Sequence, residues 1–113
     1  MKTLKDLKID NQVQADIDKF VDVLKNHHVA IDKIILYGSY AKQKQKSYSD
    51  IDLAVISPQF GKDEIDEMML LSKLAWKASD RIEPIPLTTK QLQMDYHPLI
   101  DEIKKYGKIV YKS

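Results

Sequence analysis

The stretch KIILYGSYAKQKQKSYSDIDLAVIS, residues 33–57, decides how this chain is read. Its two ends are short apolar runs rich in Ile, Leu and Val, too brief for independent helices, so each is expected to be a strand. The first closes at Gly38-Ser39; ten residues on, Asp50-Ile51-Asp52 opens the second. On a strand, side chains two apart project from one face, roughly 6.6 Å apart along the chain. On a helix the same two residues would diverge by about 200°. Asp50 and Asp52 can therefore share a site only if the strand is there.

Two carboxylates at that spacing can converge on a pair of metal ions about 3.5–4 Å apart. The other half of the stretch suits phosphate. Gly38 permits positive φ and close approach of a ligand to the backbone. Ser39 adds a hydroxyl and an N–H, and Tyr40-Ala41-Lys42 is placed to open a short helix whose N-terminus favours anions. Taken alone, aspartates at a strand start are better explained as solvated end residues. The glycine–serine turn at a fixed distance shifts the balance to Mg²⁺ ligation.

Gly-Ser, ten residues, then Asp-x-Asp resembles the signature of the DNA polymerase beta-type nucleotidyltransferase superfamily. With Tyr40, Ala41, Ser49 and Ile51-Asp52-Leu53 also in place, the chain is similar to the minimal nucleotidyltransferase (MNT) domains. Four fixed positions of this kind arise by chance in about one chain per thousand of such composition. The resemblance implies an α/β fold, a small mixed β-sheet flanked by helices, as one domain over residues 1–113. It implies Mg²⁺ as cofactor and ATP as nucleotidyl donor, with Asp50 and Asp52 as metal ligands and catalytic residues. Gly38, Ser39 and Lys42 fall at the nucleotide-binding positions, Lys42 reaching toward the β/γ-phosphates. Glu83 corresponds, by its place in the element order, to the third carboxylate, which ligates the catalytic metal or takes the acceptor proton. A surface strand glutamate is the competing reading for Glu83. The usual motif has Arg then Gly where this chain has Lys42-Gln43.

Composition sets bounds around this. The 113 residues suffice to bury a core without staples. Cysteine is absent, which removes disulfides and thiolate chemistry together. Eighteen basic against 17 acidic side chains, net +1, is not the basic excess of a nucleic-acid binder. The start MKTLKDLKID lacks the apolar core of a signal peptide, and no 18-residue apolar run occurs, so a cytoplasmic protein without a membrane segment is expected.

Elsewhere, residues 1–9 suggest a helical turn or an arm. Asp10 or Asn11 is placed to cap a helix with an apolar stripe of Val13, Ile17, Phe20, Val21 and Leu24. His27 and His28 end it, and neighbours on a helix do not converge on a metal. After a turn at Pro58 and Gly61, Asp63 caps a helix running to about Ser79. Ile65, Met68, Met69, Ser72 and Trp76 line one face, and Leu71, Leu74, Ala75 and Ala78 widen it. An apolar arc this broad exceeds what one sheet face needs, so the helix either is buried core, which is the expected use, or faces a partner as well. Packing is the expected use of Trp76, the methionines and the tyrosines. Tyr37, Tyr40 or Tyr48 would otherwise stack on a purine. Residues 82–87 read as a strand whose Pro84 and Pro86 demand a sheet edge on one side. Thr88 caps a short helix, Pro98 starts another that Gly107 stops, and Ile109 to Tyr111 form a last strand or a tail.

Larger relatives of the family add a domain that holds the acceptor, and none is discernible here. MNT domains resembling this one are antitoxins that adenylylate a tyrosine of a helical HEPN-type toxin, so the resemblance implies AMP transfer from ATP to such a partner. Two alternatives are carried: a homo-oligomeric enzyme acting on an aminoglycoside-like small molecule, and a decayed module that only masks a partner.

Overall fold

The structure is a computed structural model that describes residues 2–3, 11–46 and 49–113. Its elements, in chain order, are β1 (Lys2–Thr3), α1 (Asn11–Asn26), β2 (Lys33–Tyr37), α2 (Gly38–Ala41), β3 (Ile51–Ile56), α3 (Glu64–Ala78), β4 (Ile82–Leu87), α4 (Thr89–Leu92), α5 (Pro98–Tyr106) and β5 (Lys108–Lys112). The strands form one mixed sheet in the order β1-β5-β2-β3-β4. β2 is antiparallel to β3 and β5, whereas β3 and β4 run parallel across the α3 crossover.

Alternation along the central strands separates two cores. Ile34 and Leu36 of β2, with Ile51, Leu53 and Val55 of β3, pack on the α1 stripe and on Leu71, Leu74 and Ala75 of α3. The other face carries Ile35, Tyr37, Ala54 and Ile56, covered by Leu92 of α4 and by Ile100 and Ile103 of α5. The α1 stripe from Val13 to Leu24 is buried throughout, as its periodicity predicts. α5 comes close because Gly107 has no side chain: a Cβ there would lie 2.6 Å from Ile35 Cγ2 and 2.3 Å from the Ile103 carbonyl oxygen.

The helix signals are realised as hydrogen bonds. Asp63 accepts from the Asp66 N–H at 3.0 Å. Thr88 accepts from Gln91 N–H while the Gln91 side chain accepts from Thr88 N–H, a complete capping box. Pro98 begins α5 with His97 as its cap. The last apolar segment is a strand inside the sheet, not a tail. Lys2 and Thr3 pair with β5, so that part of the N-terminus is strand and not helical turn; Asp10 and Tyr48 lie outside the described residues. Among the described residues no helix is long and apolar enough to cross a membrane.

One expectation is overturned. The face of α3 bearing Ile65, Met68, Met69 and Trp76 does not enter the core: Ile65 is 73% exposed, Met69 64% and Trp76 72%. Met94 is exposed as well. The helix instead buries Leu71, Leu74 and Ala75, because one sheet face accommodates only part of so wide an apolar arc.

Candidate active site

The site forms where β2 ends and β3 and β4 begin. Asp52 of β3 lies opposite Tyr37 of β2 and beside Glu83 of β4. Asp50 immediately precedes β3 and is exposed. β4 is the edge strand that its prolines require. Its ladder to β3 is unbroken from Ile82 to Leu87, and proline cannot donate, so Glu83 and Ile85 carry the inward N–H groups. Glu83 is thereby held in register with Asp52.

Gly38 turns the chain out of β2 with φ +73°, the left-handed region that suits glycine. A Cβ at Gly38 would lie 2.2 Å from Asp52 Oδ2. The turn and the carboxylate, 14 positions apart in the sequence, are thus in direct apposition. α2 follows as a single turn, without a side-chain N-cap, and Ser39 sits in it half-buried.

The three carboxylates feel one another. Burial raises the Asp52 pKa to about 6, helped by the negative charges of Glu83, Asp50 and Glu102. Glu83 is also raised, first by the charge of Asp50, then by burial and a side-chain hydrogen bond with Asp50. The Tyr37 hydroxyl is driven well above the ordinary phenol range by burial and by the charges of Asp52, Glu102 and Glu83. Carboxylates that crowd one another in this way favour a bound cation.

The donor chemistry fits Mg²⁺: all three side chains offer hard oxygen ligands. Among the described residues no group of three His, Asp or Glu is gathered closely enough to cage an ion unaided. Mg²⁺ does not require that, because it takes one or two carboxylates and completes its shell with water and phosphate oxygens.

Lys42 does not stand free. Its ammonium pairs with Glu102 of α5, which raises its pKa, and lies 5.2 Å from the Tyr106 ring centre. Tyr40 is buried, its hydroxyl bonded to Arg81, and Tyr37 is buried too, so both pack as expected instead of offering an open ring face. Trp76 and the exposed methionines do the reverse.

Two participants escape a linear reading. Glu102 adds charge to Asp52 and holds Lys42 from 60 residues away. Arg81 bonds the Tyr40 hydroxyl and, at 3.2 Å, the Ser49 carbonyl, so it clasps both ends of the loop leading to Asp50. No local spacing signals either one.

Sheet, turn and carboxylates together are those of a nucleotidyltransferase core. The chain belongs to the family described as "Polymerase beta, Nucleotidyltransferase", whose sequence model matches residues 8–113. It is 35% identical over 83 residues to a Methanocaldococcus jannaschii protein named as a candidate protein adenylyltransferase. That similarity covers 69% of this chain and 56% of the relative, so the chain spans little more than half the relative's length. A crystal structure of a toxin-antitoxin with AMP-PNP superposes with a TM-score of 0.63 at 24% identity, over 92% of this chain and 75% of that one. The structure of a tri-AMPylated Shewanella oneidensis HEPN toxin with its MNT antitoxin gives a TM-score of 0.59 at 22% identity, over 90% and 73% of the two chains. At these identities the structural likeness establishes the shared fold.

Proposed function

We propose that the chain is an Mg²⁺-dependent adenylyltransferase that moves AMP from ATP to a tyrosine hydroxyl of a partner protein, a HEPN-type toxin. The observation that carries this is the apposition of the Asp52 carboxylate and the Gly38 turn, with Glu83 in register beside it. The named adenylyltransferase relative and the AMPylated toxin complex support the choice of donor and acceptor.

Asp50, Asp52 and Glu83 would hold Mg²⁺, which supplies neutralisation of triphosphate charge. The Gly38-Ser39 backbone, having no side chain to obstruct it at Gly38, receives phosphate oxygens, and the Ser39 hydroxyl adds a donor. The acceptor oxygen attacks the α-phosphorus; the bond to the β-phosphate oxygen breaks and pyrophosphate leaves. The acceptor proton passes to a Glu83 carboxylate oxygen that the metal does not engage. Lys42, bound to Glu102, acts at the rim of the site and reaches phosphate only by exchanging that partner.

Separate incubations with ATP labelled at the α- or the γ-phosphate, with Mg²⁺ and the product of the neighbouring gene, test this. Retention of α-label on the neighbour, with γ-label released as pyrophosphate, is expected. Label appearing on aminoglycosides alone, or γ-label retained on protein, contradicts it, as does tight complex formation without transfer.

A further inference from the structure

We propose that the exposed face of α3 and the open edge of β4 form one groove that receives a helical segment of the acceptor protein, with an apolar stripe and lysine or arginine at its flanks. This rests on the reading of the chain as a protein-modifying transferase and names the surface by which it holds its substrate.

Two cavities lie along the β4 edge, of about 480 and 380 Å³. Met68 and Ile85 line both, so the cavities adjoin. The larger is walled by Ser72 and Trp76 on α3 and reaches Tyr37 and Glu83. The smaller continues past Pro86 to Met94 and Leu99. Ile65 and Met69 extend the same apolar surface along α3, where scattered single exposed residues would have called for no explanation.

Three features specify the occupant. The first is charge: among the described residues the groove is lined by Glu64, Asp80 and Glu83, with His97 at the far end of the smaller cavity and neither lysine nor arginine. Such walls favour a cationic segment and repel an acidic one. The second is backbone chemistry. Pro84 and Pro86 leave the outward edge of β4 without N–H donors at those positions, so a partner strand cannot be hydrogen-bonded there in register. Side chains must do the binding, as they do when an amphipathic helix lies in a groove. The third is continuity: Glu83 belongs both to the groove and to the carboxylate cluster. Whatever fills the groove places its side chains beside the reacting centre.

The test uses the intact chain and its single tryptophan, Trp76. A random 16-residue peptide display library is selected on the protein without nucleotide, with a Met68→Asp variant for counter-selection. Enrichment of sequences with aliphatic or aromatic residues three and four apart, flanked by Lys or Arg, is expected. The best peptide should blue-shift Trp76 emission saturably and gain helical circular dichroism. A version with glutamate flanks, and the Met68→Asp protein, should each bind at least tenfold more weakly. No enrichment over the variant, equal binding of both charge versions, or binding without a Trp76 shift overturns the proposal. So does sedimentation equilibrium showing a dimer that the Met68→Asp variant converts to a monomer, which would make a second copy of the chain the occupant. Peptide docking with no label transfer to the partner would leave the groove standing and remove the transferase reading. Transfer unchanged in Met68→Asp would remove the groove and leave the reaction.

Discussion

Asp52 is the residue on which charge and backbone meet. Its carboxyl, raised to about 6 when folded, would titrate near 3.9 in an unfolded chain. Between those values the folded state binds the extra proton, so this group's contribution to stability is largest below about pH 4 and is lost as pH rises through about 6. The full linkage figure must be cut for solvent screening at a half-exposed carboxylate, leaving about 1–2 kcal/mol. In metal-free buffer, urea unfolding of Asp52→Asn compared with the parent chain should therefore show a relative gain that grows from pH 4 to 6 and then levels. A difference independent of pH would show that Asp52 is not raised. Gly38→Ala is expected to fail in two ways, since its Cβ would collide with Asp52 Oδ2 at 2.2 Å and φ is +73°. The predicted result is a loss of about 1–3 kcal/mol in urea unfolding, together with loss of transfer. Both predictions concern residues legible in the sequence, because the demands are local: glycine at a turn, aspartates two apart on a strand. Glu102 and Arg81 were not legible, because their roles exist only once α5 and β4 have packed.

The elements repeat the lesson at larger size. Strands, caps and the α1 stripe follow from period, cap residues and β-branched runs, and Pro84 and Pro86 mark β4 as an edge. α3 was legible as a helix but not in its rotation. Its apolar arc is wider than the sheet can cover, and period alone does not say which part turns inward. Burial decides it: Leu74 is 1% exposed and Trp76 72%. Leu74→Ala should cost about 2–5 kcal/mol in urea unfolding, whereas Trp76→Ala should stay within about 0.5 kcal/mol. Equal costs would mean that the helix is rotated from the position described. Arg81→Met tests the clasp between elements. It removes the bonds to Tyr40 and Ser49 and is expected to lower stability by about 1–3 kcal/mol, read by thermal unfolding. An unchanged melting temperature would show that the loop is held without it.

For the whole molecule, the fold brings Asp52 of β3, Asp50 just before it and Glu83 of β4 to one end of the sheet and leaves an apolar, acid-lined groove leading to them. Family membership was legible in residues 33–57 alone; a surplus apolar face on α3 was legible as one of two readings, but not the groove, since it depends on which face of α3 is left uncovered. The most direct measurement is transfer of α-labelled AMP to the partner protein by the Asp50→Asn, Asp52→Asn double variant beside the parent chain, with circular dichroism and unfolding recorded for both. Transfer should fall by at least about a hundredfold, the range in which removal of charge-stabilising groups acts, while the fold is retained or slightly stabilised by relief of like-charge repulsion. Transfer at the parental rate by a folded double variant would contradict the account.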